Sequence, residues 1–201
     1  MNLLKELESY HIILASQSPR RQELLKEMDL DFEVRPMHVE EVHPAGLTPA
    51  EVVEYLSRLK LSTVDFSDFQ ENVLFIASDT IVVLEQEILE KPHDEEEAFR
   101  MLRKLSNRQH TVLSGVTVRT ASHELTSHAE SRVTFRELSE EEIRYYVAQY
   151  PPFDKAGAYG VQDWIGVVGI ERIDGSFYNV MGLPTRLLWE MLRKMVLLEK
   201  K

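Results

Sequence analysis

Residues 73–84 read Val73-Leu74-Phe75-Ile76-Ala77-Ser78-Asp79-Thr80-Ile81-Val82-Val83-Leu84. Two β-prone apolar runs, Val73–Ala77 and Ile81–Leu84, flank a polar triplet. Branched and aromatic side chains suit a pleated, buried surface, so the first run is expected to be a strand. Asp79 follows it and is expected at or near that strand's end. In open α/β sheets, ligands gather outside the carboxyl ends of strands. An acid there can serve a ligand or merely cap a turn, and both readings stand. Thr80 adds a hydroxyl beside it.

Outward from this run, strands and helices mingle. Ile12–Ala15 and Phe32–Val34 are expected strands, and Ile88–Leu89 follows the central run. Pro19 to about Met28 has Leu24, Leu25 and Met28 on one helical face. Three capping boxes open further helices: Thr48-Pro49-Ala50-Glu51 to about Val64, Asp94-Glu95-Glu96-Glu97 to about Leu105, and Ser139-Glu140-Glu141-Glu142 to about Gln149. His110–Thr120 and Glu124–Arg136 alternate well enough for a long antiparallel pair. Residues 154–184 are rich in Gly and aromatics, with one apolar run at Val167–Ile173. Pro184 to about Leu198 is a last helix with Leu187, Leu188, Met191, Leu192 and Met195 on one stripe. The expected class is α/β, a mixed sheet with flanking helices. At 201 residues the chain is expected to be a single domain, 1–201, with two lobes.

Composition removes several function classes. The chain has no Cys, which excludes disulfides, thiolate zinc sites and a cysteine nucleophile, and fits a reducing compartment. With 23 Lys+Arg against 34 Asp+Glu the net charge is −11, which argues against binding nucleic acid polymers or anionic membranes. The opening residues do not form a signal peptide, since Glu6 and Glu8 interrupt it, and no apolar run approaches a membrane span. A cytoplasmic protein is expected. There is no G-x-x-x-x-G-K-[ST], no G-x-G-x-x-G after a strand, no H-E-x-x-H and no G-x-S-x-G. The seven His residues lack metal-ligand spacing.

One helix start stands apart. Three starts place Glu at the third helical position, which suits the positive end of the helix dipole. At Ser18-Pro19-Arg20-Arg21, two cations occupy the first turn instead. An anion bound there would explain them: free N–H groups, the Ser18 and Ser16 hydroxyls and two guanidinium groups could converge on phosphate. Alternatively both Arg turn sideways to surface acids such as Glu23. Glu40-Glu41, after the second expected strand, could join Asp79 in holding a hard divalent ion or activate a water, or could be solvated loop charge. Lys60 and Lys91 could reach phosphate or lie on the surface.

Ser16–Arg21 (SQSPRR), Ser78–Thr80 (SDT), Leu89–Pro92 (LEKP), Asp154–Gln162 (DKAGAYGVQ) and Ile173–Pro184 (IDGSFYNVMGLP) occur in this order. Together they closely resemble the Maf family of nucleoside triphosphate pyrophosphatases over nearly the whole chain. The resemblance implies a two-lobed α/β protein with a central cleft, similar to inosine triphosphate pyrophosphatases. It implies hydrolysis of the α–β phosphoanhydride of a nucleotide with a divalent cation, Mg²⁺ or Mn²⁺, and a possible homodimer. By position, Asp79 matches the general base and, with Glu41, a metal-holding acid. Ser16, Arg20, Arg21, Lys60 and Lys91 match triphosphate-binding positions.

The run Ala158-Tyr159-Gly160-Val161-Gln162 resembles the branch acting on dTTP and UTP, in which Arg20, Thr80 and Gln162 mark specificity. An amide can donate and accept, as a pyrimidine carbonyl and ring N–H require. Two departures from the family pattern are Ser78, where Gly or Ala is usual, and Asp163-Trp164-Ile165-Gly166 in place of a Gly-rich run. The rival readings are a nucleotide-binding regulator of cell division without turnover, and a pyrophosphatase for non-standard purine nucleotides.

Overall fold

The computed structural model describes residues 3–69 and 72–200. The elements are α1 (Leu3–Leu7), β1 (His11–Leu14), α2 (Pro19–Glu27), β2 (Glu33–Val34), α3 (Pro49–Leu59), β3 (Val73–Leu84), β4 (Glu87–Leu89), α4 (Glu95–Leu105), β5 (Gln109–Arg119), β6 (Glu124–Phe135), α5 (Glu140–Gln149), α6 (Trp164–Gly169), β7 (Ile170–Asp174), α7 (Phe177–Met181) and α8 (Thr185–Glu199). Short 3₁₀ turns lie at Phe66–Asp68 and Ala156–Ala158. Among the described residues, no helix is long and apolar enough to cross a membrane.

Side chains set the helix starts. At α3, Glu51 N–H donates to Thr48 Oγ1 at 3.3 Å while Thr48 N–H donates to the Glu51 carboxylate at 2.8 Å. At α5 the same exchange joins Ser139 and Glu142 at 3.2 and 2.8 Å. Each box satisfies two N–H groups that a helix start leaves orphaned. The Asp94 start forms only half of the expected box. Glu97 N–H donates to Asp94 Oδ1, but the Glu97 carboxylate accepts from His93 N–H at 2.7 Å. Asp94 is nearly fully extended, at φ −148 and ψ 174, and the reciprocal bond moves one residue back. The helix from Thr48 stops at Leu59, short of Val64. Lys60 caps it, and Leu61 N–H turns back to the Arg58 carbonyl.

The sheet is mixed, with strand order β2-β1-β3-β5-β6-β7 and β4 on β3. β1 runs parallel to β2, and pairs in parallel with β3 from His11↔Val73 to Leu14↔Ile76. β3 does not end where the apolar run ends. Antiparallel β4 takes up its later part, from Val82↔Leu89 to Leu84↔Glu87. Asp79 therefore lies inside a strand, three residues beyond the last β1 pair, and not at a strand's end as expected. β3 pairs with β5 as well as with β4, and its strand conformation runs unbroken through a triplet that hydropathy reads as a break.

The described chain forms two compact units. The first comprises the chain up to Asp79, Ser114–Ala129 and the segment from Gly182 on. Its parallel strands pack Ile13, Ala15, Phe75 and Ala77 with Leu61, and Phe66 and Phe69 meet Phe75 edge-on at 5.6 and 5.5 Å. β5 and β6 meet in a turn closed by Thr120 N–H on the His123 carbonyl at 2.9 Å. Gly115 lets α3 lie directly on β5, since a Cβ there would stand 2.1 Å from the Val53 carbonyl oxygen. In α8, Leu188, Met191, Leu192 and Met195 are buried and Leu187 is partly so.

The second unit comprises Thr80–Leu113 and Glu130–Met181. Its core gathers Leu102 and Leu105 of α4, Phe135 of β6 and Tyr146 of α5. The apolar run Val167–Ile173 is split. Ile170 N–H closes α6 on the Gly166 carbonyl, and Ile173 then pairs with Val133 in antiparallel β7. Val167 is left 76% exposed.

Candidate active site

In the first unit the end of β1 turns directly into α2. Ala15 N–H still bonds the Ile76 carbonyl at 2.8 Å, and Ser16 follows. Ser16 Oγ accepts from Ser18 N–H at 3.2 Å and from Arg21 Nη1 at 3.1 Å. Ser18 caps α2, with Pro19 first. Arg21 does not turn sideways to a surface acid. Its Nε donates to the Gly182 carbonyl at 2.9 Å, which fixes the guanidinium against Ser16. Burial lowers the Arg21 pKa, and neighbouring Arg20 lowers it further, while the carboxylates of Asp79 and Glu41 oppose the shift. Arg21, with Arg20 beside it, thus sits within the electrostatic reach of two acids.

Asp79 and Lys60 are both buried. Lys60 Nζ lies 2.5 Å from Asp79 Oδ1, donates to the Ser78 carbonyl at 3.3 Å and lies 3.4 Å from Glu41 Oε2. Lys60 reaches this place because α3 ends there, and an ammonium at a helix C-terminus is also favoured by the dipole. A buried charge is retained at tolerable cost only when paired, and here each buried partner supplies the other's countercharge. Glu41 belongs to the loop after β2 and is about half exposed. The first unit therefore brings together Ser16, Arg21, Glu41, Lys60 and Asp79, with Arg20 beside them.

Thr80, Lys91 and Gln162 belong to the second unit. Thr80 continues β3 and is partly buried, Lys91 follows β4 and is exposed, and Gln162 is exposed on the turn before α6. Sequence reasoning missed two partners, the carbonyls of Gly182 and Ser78. Backbone acceptors carry no signature in side-chain identity. A surface cavity of about 980 Å³ lies elsewhere, at the amino ends of β1 and β2, lined by His11, Glu33, Leu7 and Leu30 among others. Its described lining is acidic, with Glu8, Asp29, Asp31 and the His11–Glu33 pair at 3.0 Å, and carries no Lys or Arg to receive a phosphate, so the functional reading follows the buried Lys60–Asp79 pair.

What the arrangement can do is specific. Cations and hydroxyls at a helix start bind an oxyanion. A buried carboxylate next to them can hold a cation or take a proton. Comparison with known proteins agrees with this chemistry. The model of the family described as Maf-like protein matches residues 11–195. A dTTP/UTP pyrophosphatase of Flavobacterium psychrophilum is 50% identical, covering 91% of this chain and 93% of the relative. Proteins with the same name from Porphyromonas gingivalis and Bacteroides thetaiotaomicron are 48% and 49% identical, covering 95% and 96% of this chain and 97% and 100% of theirs. Among solved structures, the Staphylococcus aureus Ham1 protein is similar at TM-score 0.44 and 16% identity, over 62% of this chain and 71% of that one.

Proposed function

The chain belongs to the family of Maf-like proteins, and on that footing we propose that it is a pyrophosphatase hydrolysing dTTP and UTP to the monophosphate and pyrophosphate. The observation that carries the reading is the buried Lys60–Asp79 pair within reach of Glu41 and the Arg21 helix start. Water attacks the α-phosphorus, the bond from that phosphorus to the bridging oxygen breaks, and pyrophosphate leaves with the electron pair. Asp79 takes the proton of the attacking water. Arg20, Arg21 and Lys91 bind the phosphate oxygens and stabilise the charge that develops on them. Ser16 holds Arg21 in place. Lys60, paired with Asp79, exchanges that partner for the incoming phosphates, its ammonium moving as an ion-pairing group with no bond broken, and so frees the carboxylate to accept the proton. Arg20, Thr80 and Gln162 discriminate among bases.

Among the described residues, no group of three or more acid or His side chains is arranged to hold a metal. Two carboxylates, Asp79 and Glu41, do converge on one point, now taken by the Lys60 ammonium. Mg²⁺ needs only one or two carboxylates when phosphates and water complete its shell. The donor set therefore fits a cation that arrives with its nucleotide. Asp79 and Glu41 would hold it, and it would supply charge neutralisation at the phosphate oxygens.

The chain is read as one cytoplasmic domain. The test is pyrophosphate release from dTTP, UTP, dCTP, ATP and dITP, with and without Mg²⁺. Fastest release from dTTP and UTP is expected. Preference for dITP would transfer the reading to non-standard purines, and tight UTP binding without turnover would transfer it to a regulatory module.

A further inference from the structure

Gln162 sits on a turn that is held from both sides. Tyr146 of α5 is fully buried, and its hydroxyl donates to Asp163 Oδ2 at 2.8 Å while accepting from Gly160 N–H at 3.1 Å. Asp163 N–H donates back to the Gly160 carbonyl at 3.1 Å. Lys155 Nζ, itself largely buried, lies 3.6 Å from the same Asp163 oxygen. A single phenol thus ties together the first and last residues of the turn. Nothing larger fits: a Cβ on Gly160 would stand 2.5 Å from Asp163 Oδ2, and one on Gly166 would stand 2.1 Å from the Val161 carbonyl oxygen. Just upstream, Tyr159 is fixed by His110 Nε2 at 2.7 Å and by the Phe135 ring. Within residues 160–163, Gln162 alone is exposed.

We propose that Tyr146 and Asp163 are positioning residues for base selection: they clamp the Gly160–Asp163 turn so that the Gln162 amide meets the pyrimidine edge at one fixed place. The proposal rests on the reading of this chain as a pyrimidine nucleotide pyrophosphatase. Thymine and uracil present a ring N–H flanked by carbonyls, whereas cytosine presents an acceptor and an amino group. A flexible amide can accommodate either. Discrimination requires the side chain to be held to about half an ångström by its supporting shell. The buried phenol is driven to remain protonated, by desolvation first and by the Asp163 charge second, which keeps it a donor to Asp163 at any working pH.

The test compares kcat and KM for dTTP and dCTP in the wild type, Tyr146→Phe, Asp163→Ala and Asp163→Asn, with thermal melting of each. Tyr146→Phe and Asp163→Ala are expected to lower the dTTP-to-dCTP ratio of kcat/KM roughly tenfold, about the size of one misplaced hydrogen bond, through a raised KM for dTTP. Asp163→Asn keeps an oxygen for the phenol and is expected to keep the ratio. An unchanged ratio in the two disruptive variants overturns the proposal, as does an equal fall of kcat on both nucleotides. If Tyr146→Phe does not fold, the Ala and Asn variants at Asp163 still decide the matter. A wild type without pyrimidine preference overturns the functional reading itself, a result distinct from a preference that the variants leave intact.

Discussion

Replacing Lys60 by Met removes the ammonium that lies 2.5 Å from Asp79 Oδ1 and 3.4 Å from Glu41 Oε2, while keeping most of the side-chain volume. At an effective dielectric of about 20, two unit charges about 4 Å apart attract by about 4 kcal/mol. Any dication seeking the same two carboxylates must displace that attraction. Glu41 is half solvated, so only part of its share is recovered. The metal-only affinity of Lys60→Met should therefore rise, by at least tenfold, which corresponds to about 1.4 kcal/mol. The same variant loses a phosphate-binding cation, and its pyrophosphate release should fall by about 10² or more. It also leaves Asp79 buried without its countercharge, and should melt lower by the equivalent of about 3 kcal/mol, a loss that Mn²⁺ restores. The assay is titration of Mn²⁺ into protein without nucleotide, read by calorimetry or by the spin signal of free Mn²⁺, with circular dichroism to confirm the fold. Mn²⁺ affinity in Lys60→Met equal to or weaker than that of wild type would refute the reasoning, because Lys60 would then not occupy the metal's place.

Two further outcomes concern Arg21 and the buried His110. Arg21→Lys keeps the charge but cannot reach both Ser16 Oγ and the Gly182 carbonyl, so KM should rise roughly tenfold for every nucleotide, with no rescue by the conservative change; steady-state kinetics over the nucleotide panel checks this. Burial of His110 depresses its pKa to about 4, so the folded state favours the neutral ring. The unfolded chain binds the proton first, near pH 6.5, so the stability from this group is fully present above that pH and declines as pH falls towards 4, by about 3 kcal/mol in all. Melting temperature against pH should be flatter between 6.5 and 4 in His110→Gln than in the wild type.

Much of the fold could be read from local chemistry. Ser18, Thr48 and Ser139 cap the helices they were expected to cap, because an N-cap bond depends only on residues three apart. The apolar runs at Ile12 and Val73 became strands because each is buried on both faces. The failures share a cause, which is dependence on distant partners. Asp79 reads as a strand end because the partners along which β3 continues, β4 and β5, lie later in the sequence. The Val167–Ile173 run was apolar throughout most of its length and gave no period with which to separate α6 from β7. Lys60 and Asp79 are 19 residues apart, and only the docking of α3 on the sheet joins them. A net charge of −11 describes the surface, whereas Arg20 and Arg21 stand in the first turn of α2 and Lys60 is drawn inside. Asp163 appeared first as a departure from a pattern and proved to be a bonded part of its turn.

The central claim is water attack at the α-phosphorus with Asp79 as the proton acceptor. Hydrolysis of dTTP in water enriched with heavy oxygen, followed by mass spectrometry of both products, tests it most directly. The label should appear in the thymidine monophosphate and not in the pyrophosphate, and Asp79→Asn should slow its appearance by about 10³ while remaining folded. Label in the pyrophosphate, release of single phosphate, or undiminished turnover in Asp79→Asn would contradict the account.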